Sequence, residues 1–161
     1  MNYKLALGVL AKWDVEFVLV GGAAVVAHGS TLTTQDLDIV YRVEPENVRK
    51  LLGALTELDA TAYGDPRRLS FGFDHLNNHG HHLNETRAGR IDVLGSIGVD
   101  GKVHYEHLVV DAVTLQVFGV EVKCISLDRL IAIKKELSRP RDQLAVLELE
   151  AIKKLSNDFV P

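Results

Sequence analysis

Apolar residues recur at helical spacing in several segments of the chain. These predicted helices cover residues 3–13, 23–27, about 45–58, 127–137 and 140–155. Pro45 and Pro140 each suit the first position of a helix, and Ser126 is a residue that can cap the helix following it. The last two segments predict a C-terminal pair of helices over about residues 126–155.

Period-two alternation and short apolar runs predict the strands. They lie at residues 16–20, 36–42, 90–95, 113–117 and 120–125, the last two forming a hairpin around Phe118-Gly119. Leu69, Phe71 and Phe73 also alternate like a strand, within a segment whose pattern is weak. Helices and strands intermingle along the chain, which predicts an α/β (α+β) fold with a small mixed β-sheet and flanking helices.

Length and composition describe an ordinary globular protein. The chain has 161 residues, 47% of them hydrophobic and 25% charged, which favours one domain over residues 1–161. The net charge of −4 makes extensive nucleic-acid binding an unfavoured function, while small anions remain possible ligands.

The single cysteine and the charged residues among the first twenty positions indicate the cellular environment of the protein. Cys124 has no second cysteine with which to form an intramolecular disulfide, so we expect a reducing, cytoplasmic environment. Lys4, Lys12, Asp14 and Glu16 interrupt the first twenty residues, so we expect neither a signal peptide nor contact with a membrane.

Two aspartates on one predicted strand carry the most specific chemical signal. Asp36 and Asp38 are two residues apart, so they share a face of the strand with Cα atoms roughly 7 Å apart. Neighbouring carboxylates repel unless a cation compensates them, and carboxylate oxygens suit Mg²⁺ or Mn²⁺. Asp92 lies on the polar face of another strand and becomes a third acid if the two strands are neighbours. The pattern is also compatible with a solvated edge strand.

A glycine pair and a hydroxyl-rich loop precede the aspartates. Gly21-Gly22 ends a strand immediately before a helix, so its backbone N–H groups can receive a phosphate without obstruction by side chains. Ser30, Thr31, Thr33 and Thr34 offer neutral donors nearby. The glycine pair followed by the acids, in this order, favours one site that binds a metal and a phosphate. The alternative interpretation, an ordinary turn and unrelated surface charges, is less favoured.

At these residues the sequence resembles the polymerase-beta-like nucleotidyltransferase superfamily and, within it, small bacterial AbiEii-type nucleotidyltransferases. The matching segments are FVLVGGAAVVAHGS, TTQDLDIV, GRIDVLGSI and ISLDRLIAIKKELSRPRDQLAVLELE, spread over residues 16–155. Members of this group commonly carry Arg in a GS-x-R-x-T-x-D pattern, where this chain has Leu32.

The resemblance implies a nucleotidyltransferase-like fold and two-metal transfer of a nucleoside monophosphate from an NTP to a hydroxyl of RNA, a protein or a small molecule. It implies that Asp36, Asp38 and Asp92 are catalytic and hold the metals, and that nucleotide phosphates lie against a set made up of Gly21, Gly22, Ser30 and Lys134. Asp92 would also help to remove the acceptor's proton. For Lys134 a solvated helix position is an equal alternative, and for Arg139 and Asp142 a local ion pair is favoured. The resemblance also suggests a toxin–antitoxin or phage-defence setting.

Other functions remain open at this stage. The chain could be a catalytically silent, antitoxin-like binding module with a protein partner, which Leu32 in place of the expected Arg and the short chain favour. A homodimer is also possible. The histidines at positions 75, 79, 81, 82, 104 and 107 lack the spacing of a zinc motif, so loop polarity is the favoured interpretation. The basic group Arg129, Lys134, Lys135, Arg139 and Arg141 could touch RNA, although a solvated helix face is favoured.

Overall fold

Seven strands form one mixed sheet in a computed structural model that describes residues 1–158, with side chains for residues 1–156. The sheet order is β3-β4-β5-β2-β1-β7-β6. The strands are β1 (Phe17–Val20), β2 (Asp36–Tyr41), β3 (Thr61–Ala62), β4 (His81–Thr86), β5 (Gly89–Leu94), β6 (Val113–Val117) and β7 (Val120–Cys124). Strands β1 and β7 pair in parallel, as do β2 and β5, and the other pairs are antiparallel.

The described residues also form helices at both ends of the chain and between the strands. They are α1 (Tyr3–Lys12), α2 (Gly21–Ala27), α3 (Pro45–Glu57), α4 (Phe73–Leu76), α5 (Tyr105–Val109), α6 (Leu127–Leu137) and α7 (Pro140–Asp158). The predicted α/β class, the mixed sheet and the C-terminal pair α6 and α7 are confirmed. No described helix combines the length and the apolar character that a bilayer crossing requires.

The helix starts follow the residues that the sequence singled out. Pro45 occupies the first turn of α3, where its missing N–H costs no hydrogen bond. The side chain of Ser126 accepts a hydrogen bond from the Arg129 N–H and so caps α6. Helix α2 begins at Gly21, so the glycine pair forms its first turn and not a separate turn before it.

Alternation along β2 divides its side chains between the core and the functional face. Leu37 and Ile39 are fully buried, as is Tyr41, whose hydroxyl donates to the Leu76 carbonyl at 2.7 Å. Asp36 and Asp38 point to the other face. The buried apolar residues therefore fix the register of β2, because a slip of one residue would place carboxylates in the core.

The segment between α3 and β5 departs from the prediction. Residues 69–72 belong to no strand, and Phe73 begins the short helix α4. The segment instead contains β3, which spans only two residues, and β4, and neither was predicted. Strand β4 was missed because its buried positions are polar. His82 and Asn84 are buried whereas Leu83 between them is 42% exposed, so the usual hydrophobic alternation is inverted. The Asn84 side-chain amide donates to the His82 and Ile91 carbonyls, which satisfies it inside the sheet.

Candidate active site

The pairing of β2 with β5 brings the three predicted acids together. In this parallel pair Asp38 lies opposite Asp92, and Asp36 lies opposite Arg90. Residues opposite each other on neighbouring strands share a face, so all four side chains point the same way. They line a cavity of about 470 Å³ that also includes residues of α2, α6 and α7.

The glycine pair is in direct contact with this acid group. Gly21 has φ +62°, and a Cβ at this position would lie 2.0 Å from Oδ2 of Asp38. A Cβ at Gly22 would lie 2.6 Å from Oγ1 of Thr34. The backbone conformation and the close approach both require glycine at position 21, and the close approach requires it at position 22. The Gly22 N–H is directed at Asp38 Oδ2, at 3.4 Å.

The three carboxyl groups have different electrostatic environments. Burial raises the pKa of Asp38 to about 6, and the negative charges of Asp36 and Asp92 add to this effect. Burial also raises the pKa of Asp92. Burial acts in the same direction on Asp36, but hydrogen bonds from Thr34 and Arg90 outweigh it and hold the pKa of Asp36 below its usual value. The site therefore carries an excess of negative charge, centred on Asp38.

Arg90 is a member of the site that sequence reasoning missed. Its guanidinium contacts Oδ2 of Asp36, and its Nε lies 3.7 Å from Oδ1 of Asp92. The signal was present in the sequence: Arg90 is two residues before Asp92 on a strand, so period-two alternation places it on the acid face.

Helices α6 and α7 supply a second polar group to the cavity. Lys134 is 9% exposed and lines the cavity, so the interpretation of a solvated helix lysine is wrong. Its Nζ donates to Oδ1 of the fully buried Asp142 at 2.8 Å, and Nε of Arg139 donates to Oδ2 of the same carboxylate at 2.6 Å. The local ion pair expected for Arg139 and Asp142 is therefore present. The positive charge of Lys134 also acts on Asp38, where it lowers the pKa.

Apolar side chains complete the cavity. Leu32, which stands where the family pattern has Arg, is part of this lining together with Ile133, Leu137 and Leu144. An apolar group at position 32 cannot supply the charge-assisted hydrogen bonds that Arg would give to a phosphate.

Ser30 is the predicted site residue that the structure places elsewhere. It is 9% exposed and is absent from the cavity lining. Its hydroxyl donates to Oε2 of Glu148, whose other carboxylate oxygen accepts from the Thr31 hydroxyl at 3.2 Å. Ser30 therefore ties the loop before β2 to helix α7.

One histidine of the histidine-rich segment, His79, packs at a tilt against His104, which follows later in the chain. The rings of His79 and His104 lie 4.1 Å apart, and Nδ1 of each lies within 3.3 Å of the Gly95 carbonyl. Among the side chains of residues 1–156, no three His, Cys, Asp or Glu side chains are placed together so as to hold a metal ion.

The donor chemistry at the acids nevertheless fits a divalent cation. Oδ1 of Asp92 is buried without a hydrogen-bond partner, and Asp38 carries negative charge that nothing beside it fully compensates. Carboxylate oxygens on two adjacent strands are suitable ligands for Mg²⁺ or Mn²⁺.

Comparison of the sequence with protein-family models and with curated proteins finds no match. Solved structures do match the fold. Lincosamide antibiotic adenylyltransferase LnuA, in its lincomycin-bound crystal structure, is 15% identical, with a TM-score of 0.61 over 91% of this chain and 92% of its own.

Two further structures cover nearly the whole chain. A Thermotoga maritima protein provisionally assigned as a nucleotidyltransferase is 18% identical, with a TM-score of 0.53 over 98% of this chain and 96% of its own. The solution structure of the antibiotic-resistance factor ANT(2'')-Ia is 15% identical, with a TM-score of 0.53 over 98% and 94% of the two chains. The AbiEii-type subgroup stays a prediction from the sequence. At these identities the likeness concerns architecture, and the chain has the fold of these nucleotidyltransferases.

Proposed function

We propose that the protein is a nucleotidyltransferase that moves a nucleoside monophosphate from an NTP to a hydroxyl acceptor. The observation that carries the proposal is the register of β2 and β5, which sets Asp38 opposite Asp92 beside the Gly21-Gly22 pair. Acids and a glycine turn that are distant in sequence thus meet in one cavity, within a fold shared with an adenylyltransferase.

Asp36, Asp38 and Asp92 would hold Mg²⁺ or Mn²⁺. When bound, such a cation supplies neutralisation of phosphate charge and a lower pKa for a bound hydroxyl. Asp92 would also help to remove the acceptor's proton, as the resemblance to nucleotidyltransferases implies. Reaction at the α-phosphorus forms the new phosphoester bond and breaks the bond to the β-phosphate, releasing pyrophosphate.

The remaining residues would bind and orient the nucleotide. Gly21 and Gly22 line the cavity, and their lack of side chains lets the backbone lie directly against Asp38 and Thr34. Nucleotide phosphates would bind beside this backbone. Lys134, held by Asp142, places its charge within the cavity. Ser30 would contact a nucleotide only after its hydroxyl leaves Glu148.

A small molecule is the acceptor class that the charges favour over RNA. Four members of the basic group are already paired: Arg129 with Asp111, Lys134 and Arg139 with Asp142, and Lys135 with Glu150. Paired cations have less charge to offer a phosphate backbone. The apolar part of the cavity suits an acceptor with an apolar portion beside its hydroxyl. LnuA, which shares the fold, is a lincosamide antibiotic adenylyltransferase whose structure contains lincomycin.

A binding module is the second candidate function, and one surface favours it. Leu144, Leu147 and Leu155 of α7 are 50%, 66% and 58% exposed, and their spacing puts them on one side of the helix. Exposed apolar rows of this kind are typical of protein-binding surfaces. With Arg90 already bound to Asp36, a catalytically silent partner protein in a toxin–antitoxin setting would need no metal.

A transfer assay separates the two candidates. Purified protein would be incubated with each NTP labelled at the α-phosphate, Mg²⁺ and a mixture of hydroxyl-bearing small metabolites, with pyrophosphate and labelled product measured. We expect pyrophosphate release by the wild type and by Asp74→Asn, an exposed acid outside the cavity, and loss of at least 100-fold in Asp36→Asn/Asp38→Asn. Equal release by all three proteins, or release by none, would contradict the enzyme and favour the binding module.

A further inference from the structure

We propose that Arg90 is a displaceable counter-ion: it neutralises Asp36 in the cation-free site, and it must leave Asp36 before a divalent cation binds there. The ring of Tyr63 supports the guanidinium in both positions. This inference rests on the proposed function, because it concerns the same three carboxylates.

The position of Arg90 follows from the strand register. Arg90 is directly opposite Asp36 across the parallel pair of β2 and β5, and two residues before Asp92 on its own strand. Its side chain therefore has a carboxylate beside it on each strand. Both parts of the guanidinium face these carboxylates, Nη2 towards Asp36 and Nε towards Asp92.

The two contacts differ in quality. Nη2 is in close contact with Oδ2 of Asp36, which makes a charge-assisted hydrogen bond. Nε lies 3.7 Å from Oδ1 of Asp92, which is within ion-pair range but too far for a hydrogen bond. Both atoms are buried without a hydrogen-bond partner. A site built solely as a permanent ion pair would be expected to satisfy both atoms. A half-satisfied arrangement leaves the Asp92 oxygen available to another cation.

Arg90 offsets part of the negative charge of the three carboxylates. Three carboxylates meet in the cavity, and Lys134, which lies close enough to act on Asp38, already donates to Asp142. Arg90 thus neutralises one of the three acids. Arg90 holds Oδ2 of Asp36, while Oδ1 accepts a hydrogen bond from Thr34. A divalent cation that binds the Asp36 carboxylate through Oδ2 therefore competes with the guanidinium.

The Tyr63 ring can contact the guanidinium of Arg90 after it has left Asp36. The guanidinium carbon of Arg90 lies 5.1 Å from the centroid of the Tyr63 ring, which is within the range of a cation–π contact. Tyr63 is 52% exposed and the Arg90 side chain is 37% exposed, so the group can turn towards solvent. Arg90 can therefore release Asp36 without losing all its partners.

Calorimetric titration with Mn²⁺ alone, without nucleotide, tests the competition. We expect Arg90→Gln to bind Mn²⁺ about tenfold more tightly than the wild type, equivalent to about 1.4 kcal/mol. The same variant should unfold at a lower temperature in the absence of cation, since the carboxylates have lost their counter-ion. Arg87→Gln is the matched control, because Arg87 lies outside the cavity beside Asp59 and should bind Mn²⁺ like the wild type.

Each outcome has a distinct meaning. Equal or weaker Mn²⁺ binding by Arg90→Gln would overturn the counter-ion role and leave the proposed function intact. Absence of Mn²⁺ binding in every protein would overturn this inference together with the metal part of the proposed function.

A measurement on the wild type covers the case in which Arg90→Gln does not fold. The Nε–Hε signals of Arg90 and Arg87 would be followed by nuclear magnetic resonance during a Mg²⁺ titration. We expect the Arg90 signal to move to a new position while that of Arg87 stays in place. An Arg90 signal unchanged at saturating Mg²⁺ would overturn the proposal.

Discussion

Replacing Asp38 with Asn should stabilise the cation-free protein while removing its activity. Asp38 lies mostly buried between the charges of Asp36 and Asp92, and its pKa is raised to about 6. At neutral pH this carboxylate is ionised in a place that disfavours ionisation. Asn has nearly the same shape, keeps an oxygen for the Gly22 N–H and carries no charge.

The magnitude follows from the pKa. A rise from 3.8 to about 6, at 1.36 kcal/mol for each pH unit, corresponds to about 3 kcal/mol. The Asn amide brings N–H groups that need partners, so we expect a gain of about 2–3 kcal/mol in the free energy of unfolding. For a chain of this length the unfolding midpoint should rise by about 4–12 °C.

The pH dependence has a definite sign. The unfolded Asp38 carboxyl loses its proton near 3.8 and the folded one near 6, so between these values the folded protein binds more protons. Wild-type stability attributable to this group therefore falls as pH rises from about 4 to about 6, and levels off above that. The variant lacks this dependence, so its advantage should be small at pH 4 and complete by pH 7.

Urea unfolding at pH 4.5 and pH 7.5, without divalent cations, measures the effect. Asp74→Asn, which removes an exposed acid, should unfold like the wild type at both pH values. Lower stability of Asp38→Asn than of the wild type at pH 7.5, or an equal gain in stability at both pH values, would contradict the raised pKa of Asp38.

Three further predictions concern groups outside the acid site. Asp142→Ala should lower the free energy of unfolding by about 3–5 kcal/mol in urea denaturation, because it leaves Lys134 without its buried partner; a loss under 1 kcal/mol would contradict this. Leu149→Ala, at a fully buried position of α7, should lower the free energy of unfolding by about 2–5 kcal/mol. Leu147→Ala, on the exposed side of the same helix, should lower it by less than about 1 kcal/mol. Equal losses would argue against the observed orientation of the helix. Burial raises the pKa of Cys124 to about 12, so iodoacetamide should label this thiol in urea and leave it unmodified in the native protein over an hour at pH 8, as judged by intact mass; rapid native labelling would contradict its burial.

Sequence patterns predicted correctly those helices and strands whose apolar side chains are buried and whose polar side chains are exposed. Strand β2 alternates cleanly between Asp36, Asp38 and the buried Leu37 and Ile39, and Ser126 caps α6 as its residue type suggests. Strand β4 was not predicted because it buries polar side chains and exposes a leucine. Burial of the Asn84 side chain is favourable because it is hydrogen-bonded inside the folded sheet, which a local sequence pattern does not show.

The sequence predicted most of the residues of the candidate site but not their arrangement in space. The spacing of Asp36 and Asp38 predicts a shared face from strand geometry alone, but the neighbouring position of Asp92 depends on a long-range pairing of β2 with β5. That pairing also brings Arg90 onto Asp36 and turns a set of acids into a partly neutralised cluster. The burial of Lys134 likewise depends on the packing of α6 against α7, which Asp142 completes.

Thermal unfolding with each NTP, in the presence and absence of Mg²⁺, shows whether the three-acid cavity binds a nucleotide, and it needs no knowledge of the acceptor. A ligand at one hundred times its Kd adds about 2.7 kcal/mol, which should raise the midpoint by about 5–11 °C. We expect this rise for the wild type only when NTP and Mg²⁺ are both present, and no rise for Asp36→Asn/Asp38→Asn relative to its own baseline. No rise with any NTP, or an equal rise in the variant, would contradict the assignment of the three-acid cavity as a nucleotide site.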